Sequence, residues 1–231
     1  MLFRKSLIEN TLIVFVFILF PVFTQFPETT QSDVTLWSAG LMHSDEVLGK
    51  TGEKWLGLFQ TENGFELATT TITVVDSPAI VEDDKFVKTE LPYENVFLVK
   101  GLPELKPGPV KTVFYGMQML TSGTGVTLSL QDRYFNNLYA TGKDSGELIL
   151  NYQIKLGNGN QTQIILKRET ALLEAIPILL WSGDIDRDGK LDFLIDMTDN
   201  YNTSEPTLFL SSAAEGSRLI KRVASYRRIG C

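Results

Sequence analysis

The run at residues 183–192, Gly-Asp-Ile-Asp-Arg-Asp-Gly-Lys-Leu-Asp, constrains this chain more than any other stretch. It sets Asp184, Asp186, Asp188 and Asp192 in the pattern D-x-D-x-D-G-x-x-D, with Gly189 at the turn. A hard divalent cation takes about six to eight oxygens at roughly 2.3–2.6 Å, and alternate residues of a tightly wound loop aim three carboxylates at one point. Gly189 lacks a Cβ and can take the positive φ that doubles the chain back. The Lys190 carbonyl and the Asp192 carboxylate then approach the same point from the other side. Ca2+ is the cation this set suits: side-chain oxygens from Asp184, Asp186, Asp188 and Asp192, and the main-chain oxygen of Lys190. With Asp184 counted first, the twelfth position is Ile195 and not a bidentate Glu, which excludes an EF-hand. The flanks, residues 176–181 and 191–195, are short and rich in β-branched and aromatic side chains, and they predict two strands of a hairpin with Ile195 in the core. The competing reading is a solvated Asp-Gly turn that binds nothing. Four carboxylates forced together in nine residues repel, and a cation removes that cost.

The Gly183-Asp184 step, the acidic loop and the apolar exit strand resemble the calcium hairpins of the FG-GAP or VCBS repeats of the integrin-α-like β-propeller superfamily. The resemblance spans roughly residues 176–198 and implies calcium held by the loop. There is a single copy, whereas a propeller repeats its blade several times along the chain, so a complete propeller is not expected. Residues 196–202 and 204–212 are also similar to stretches that follow such loops in uncharacterised exported bacterial proteins, a resemblance that implies no activity.

Elsewhere the punctuation is that of an antiparallel β protein. Residues 54–60 and 65–75 flank Glu62-Asn63-Gly64, a hairpin turn. Residues 147–155 and 161–167 flank Gly157-Asn158-Gly159-Asn160, and Leu148, Leu150, Tyr152 and Ile154 alternate as one face. Residues 95–100, 110–115, 125–130 and 134–139 are further strands. Helix signals are few, with about two turns predicted over residues 169–175 before Pro177. The expected fold is all-β: antiparallel sandwich or barrel-like sheets with a C-terminal calcium-binding hairpin and little helix. A Pro/Gly-rich stretch at 101–109 suggests a seam between a β subdomain at 36–100 and a second at 110–231 carrying the calcium loop 184–192. The alternative is one domain over 36–231, with 101–109 a surface loop.

Net charge is −7 and the pI near 4.9, which argues against nucleic acid or an anionic membrane surface as partner. The basic residues Arg218, Lys221, Arg222, Arg227 and Arg228 read as the solvated face of a last strand. Residues 1–24 read as an export signal, with Arg4 and Lys5 before an apolar run from Leu12 to Phe20, and residues 25–35 as a linker. No Ala-x-Ala cleavage site is present, so an uncleaved membrane anchor remains open. The expected destination is the periplasm, the cell surface or the medium. The single cysteine, Cys231, closes no internal disulfide, and with His43 as the only histidine a zinc site is excluded.

No catalytic residues stand out. His43 offers no triad, and no glycine-rich phosphate loop or dinucleotide fingerprint is present. Trp37, Trp55 and Trp181 are either core or a sugar-stacking platform. Two function classes remain. The first is an exported calcium-binding protein with a structural or interaction role and a protein or glycan partner. The second is an extracellular hydrolase acting on glycans or similar polymers, with calcium as a brace. Two converging carboxyl groups about 5–10 Å apart in a cleft away from Asp184 would mark the second. Asp196 is not expected among the ligands. It lies about 13 Å beyond Asp192 along a strand, and should face solvent, the 199–202 loop or the C-terminal arginines.

Overall fold

The computed structural model describes residues 34–77, 84–131 and 134–230. The expected export signal, most of the linker and Cys231 lie outside the described residues. Strands in chain order are β1 (Thr35–Trp37), β2 (Gly40–Met42), β3 (Lys54–Thr61), β4 (Gly64–Asp76), β5 (Lys85–Thr89), β6 (Glu94–Lys100), β7 (Gly108–Met119), β8 (Gly125–Gln131) and β9 (Tyr134–Ser145). They continue as β10 (Leu148–Gly157), β11 (Thr162–Leu172), β12 (Ile178–Asp184), β13 (Asp192–Asp196), β14 (Thr203–Ser204), β15 (Pro206–Leu210), β16 (Lys221–Ser225) and β17 (Arg228–Ile229).

One antiparallel sheet follows the path β1-β6-β3-β4-β7-β12-β13-β15-β16, and β16 returns to touch β1, so the sheet closes into a near-barrel. The sheet draws strands from both sides of residues 101–109, and β7, which begins within that stretch, joins them, pairing with β4 through residues 108–110 and with β12 through residues 111–119. Residues 101–109 pack onto this sheet, with Leu105 buried in the barrel core. All three tryptophans are buried there as well. Trp37 and Trp55 lie with ring centroids 5.3 Å apart, and the Trp181 indole donates to Thr112 Oγ1 at 2.9 Å. They are core, not a stacking platform.

A second sheet, β11-β10-β9-β8, covers the outside of the barrel at β12, β13 and β15. This makes β13 a strand buried on both faces. Leu194 points into the barrel core, while Phe193 and Ile195 meet Ile149, Tyr152, Ile154 and Leu156 of the second sheet. A fully buried side chain of this size contributes about 1.5–3 kcal/mol relative to exposure, so β13 is anchored from two sides. Arg168 ties the sheets further by donating to the carbonyls of Met197 and Thr198, at 2.7 and 2.8 Å.

Two local expectations are corrected. Residues 169–175 do not form helix: β11 runs on through Leu172, paired to β10 at Leu150↔Thr170, Ile149↔Ala171 and Leu148↔Leu172, and only a 3-10 turn, Leu173–Ala175, follows. Seven residues are too few to hold a helix against a ready pairing partner. The inward face of β10 is also not the row Leu148, Leu150, Tyr152, Ile154. Asn151 takes φ 52° and the pairing with β9 slips there, so Ile149 is buried with Tyr152, Ile154 and Leu156, while Leu148 is exposed. One bulged residue shifts the two-residue period by one, and Asn tolerates the left-handed conformation that the bulge requires.

Candidate metal centre

The predicted hairpin is present as a pair of strands. β12 and β13 pair antiparallel from Ile178↔Asp196 to Gly183↔Asp192, which puts Asp184 at one end of the acidic loop and Asp192 at the other. Gly183 is fixed by close approach. A Cβ there would stand 2.5 Å from both the Lys111 carbonyl and the Trp181 ring, so only glycine lets β7 pass at this point. Ile185 is pulled inward into the barrel core, and the chain then turns through Arg187 (φ 64°) and Gly189 (φ 83°).

Inside the loop the carboxylates organise the backbone. The amide of Asp188 donates to Asp186 Oδ1 at 3.2 Å, that of Gly189 to Asp184 Oδ2 at 3.1 Å, and that of Lys190 to Asp188 Oδ1 at 2.8 Å. The structure brings Asp184, Asp186 and Asp188 together, with one oxygen from each lying within 4.8 Å of the others. Asp184 Oδ1 is buried and accepts no hydrogen bond. Burial, with the charges of Asp188 and Asp186 added, holds the Asp184 carboxyl above its ordinary range despite the amide of Gly189.

Asp192 occupies a different position. Its side chain is fully buried, at 0% exposure, and lies beneath the loop. Oδ2 accepts the Ile185 amide at 2.9 Å and Oδ1 the Ser211 amide at 2.8 Å. Burial first, then the charge of Asp186, pushes its carboxyl up to about 8, against the pull of those two amides. Lys190 is peripheral, its exposed ammonium 3.7 Å from Asp188 Oδ2. Arg187 does not neutralise the cluster, because its guanidinium donates to the carbonyls of Pro109 and Lys106, at 3.2 and 3.1 Å.

Two residues that sequence reasoning missed close the site. Ser211 Oγ stands 3.0 Å from Asp188 Oδ2 and 3.1 Å from Asp192 Oδ1, and Ser212 donates its hydroxyl to Asp186 Oδ2. The register Phe193↔Phe209 carries the chain past Leu210 to place Ser211 beside Asp192. A hydroxyl has one proton, so Ser211 can donate to one of its two carboxylates at a time. The charge of the loop is thus concentrated and only partly compensated, its donors are all oxygen, and one buried acceptor has no partner. Those are the conditions a hard divalent cation satisfies.

Asp196 lies at the far end of β13. It is 8% exposed, so of the three surroundings expected for it, solvent is not the one it meets. Its carboxylate binds the base of the 199–202 loop, accepting from Thr198 N at 3.0 Å, Glu205 N at 2.7 Å and Ser204 Oγ at 2.6 Å. The C-terminal arginines pair with other acids, Arg222 with Glu205 at 3.1 Å and Arg227 with Asp199 at 3.0 Å.

Beside the loop a cleft of about 360 Å³ opens between the barrel and the second sheet. Lys190, Leu191 and Ser211 form one wall and Phe135, Asn136 and Asn160 another. Among the described residues that line it there is no Asp or Glu. No family model matches the chain, and neither the curated proteins nor the solved structures contain a significant match to it.

Proposed function

We propose that this is an exported calcium-binding β protein in which the 184–192 loop, of the FG-GAP or VCBS kind, holds one Ca2+ and so braces a surface for binding. The observation that carries this reading is the convergence of Asp184, Asp186 and Asp188 around a buried carboxylate oxygen with no partner. The Lys190 carbonyl and Asp192 complete the ligand set we propose. Ser211 and Ser212 hold the carboxylates from outside it. Export rests on residues 1–24 of the sequence alone.

The interaction role is preferred to hydrolysis because the described lining of the cleft beside the loop is amide and apolar, with no carboxyl pair to supply acid and base. Calorimetric titration of the chelator-treated full chain tests the reading. The expected result is one site in the range of extracellular modules, about 10⁻⁴–10⁻³ M or somewhat tighter. Calcium at about 100 times Kd then stabilises the fold by roughly 2.7 kcal/mol. Absence of heat at millimolar calcium, or equal binding by an Asp184→Ala, Asp188→Ala double variant, overturns it.

A further inference from the structure

At one corner of the second sheet, where β8 and β10 end and β9 begins, the side chains change character. Along β9, Leu138 and Ala140 face inward and are buried, but the next residue in that row is Asn136, an amide where a closed core would continue apolar. The cleft at this corner has an apolar floor, with Leu130, Leu156 and Ile220 all at or below 9% exposure. Its rim is amide. The side chains of Gln131, Asn136 and Asn160 make no hydrogen bond to the described residues. Asn158 uses its Oδ1 to accept the turn amides of Asn160 and Gln161, at 3.1 and 3.0 Å, which leaves its NH2 for a ligand. Phe135 lines the cleft and is 51% exposed.

We propose that this cleft binds a neutral saccharide, of mono- or disaccharide size, against the wall formed by the calcium loop. A pyranose ring has an apolar C–H face that an exposed phenyl ring covers, and a rim of hydroxyls that both donate and accept. Primary amides match that rim because each carries two donors and an acceptor. The volume lies within the roughly 300–1,000 Å³ of small-molecule sites, and a few placed polar groups over an apolar lining are their usual composition. Anionic ligands are disfavoured, since Lys190, the one cation among the described lining residues, already faces Asp188 and the acidic loop lies next door. A protein partner needs about 800 Å² on each side with an aromatic-rich centre, and the described lining residues offer one aromatic ring. The wall belongs to the metal loop. Gly189, Lys190 and Leu191 line the cleft, and Ser211, which also lines it, is hydrogen-bonded to Asp188. The inference rests on the calcium reading in this respect only.

Saturation-transfer NMR and calorimetry on the calcium-loaded full chain provide the test, with cellobiose, maltose, mannobiose and N,N′-diacetylchitobiose as probes and tetra-alanine as a peptide control. At least one disaccharide is expected to show transfer to its ring protons, with affinity reduced tenfold or more by Phe135→Ala and by Asn160→Ala. Both residues are exposed, so neither change removes core packing. Silence across the four disaccharides, unchanged affinity in both variants, or transfer to tetra-alanine instead, overturns the proposal. If calcium gives no heat while a disaccharide still binds and both variants lose it, the cleft stands and the calcium reading falls.

Discussion

Ser211 holds Asp192 through two atoms: its backbone amide lies 2.8 Å and its hydroxyl oxygen 3.1 Å from the same carboxylate oxygen, Asp192 Oδ1. The Ile185 amide takes the other oxygen, so two backbone donors approach this buried carboxylate from opposite sides. The hairpin and the strand that follows it are thereby joined beneath the acidic loop.

That arrangement separates Asp192 from Asp188 by experiment. In Asp192→Asn, either orientation of the amide turns its NH2 toward a backbone N–H, Ile185 in one case and Ser211 in the other. Leaving a buried donor unsatisfied costs about 1–3 kcal/mol, and urea unfolding in chelator should show that loss. Asp188→Asn removes one charge from a repelling cluster. It should leave the chelated protein as stable as before or more so, while weakening calcium binding tenfold or more, about 1.4 kcal/mol. Equal loss of stability in the two chelated variants would show that Asp188 is structural and not a ligand.

The metal-free protein should become less stable as pH rises. Asp192 titrates at about 8 when folded, against about 3.9 for an unfolded aspartate, so between those values the folded chain keeps a proton that the unfolded chain has released. Stability then falls with pH through that window, and the raised Asp184 carboxyl acts with the same sign. Saturating calcium favours the ionised carboxylates and should flatten the slope. Denaturant unfolding at several pH values, with chelator and with calcium, checks both. A chelated protein whose stability climbs from pH 5 to 8 contradicts this account.

Asp196 gives the contrast along the same strand. Its Oδ1 accepts two backbone amides, but its Oδ2 meets Ser204 Oγ, a hydroxyl that can accept as readily as it donates. An asparagine therefore fits, with its oxygen toward the amides and its NH2 toward Ser204. Asp196→Asn should cost less than about 1 kcal/mol and leave calcium affinity within about threefold, whereas Asp196→Ala should cost about 1–3 kcal/mol by stranding those donors. Loss of calcium binding in Asp196→Asn would mean that the loop folds back along β13.

Much of the fold is legible because its signals are local. The hairpin of β3 and β4 follows from alternating strands around Glu62-Asn63, and the acidic loop from spacing that a single turn enforces. What escapes the sequence depends on distant pairing. Glu169, Ala171, Leu172 and Leu173 favour helix by propensity, yet β10 holds this stretch extended. The bulge at Asn151 carries no local mark, although it reverses which leucines are buried. Ser211 and Ser212 are unremarkable in sequence, since only the β13–β15 register sets them beside Asp188, Asp192 and Asp186. Phe193 and Ile195 read as core at once, but burial of Leu194 on the opposite face becomes intelligible only when a second sheet covers the barrel.

The most direct test is an anomalous-difference map from crystals of the full chain grown with calcium and collected at long wavelength. The account predicts a single strong peak with carboxylate oxygens of Asp184, Asp186, Asp188 and Asp192 and the Lys190 carbonyl at about 2.3–2.6 Å, and no peak in crystals of Asp184→Ala, Asp188→Ala. A calcium-soaked crystal with no anomalous density in the 184–192 loop would contradict the central claim.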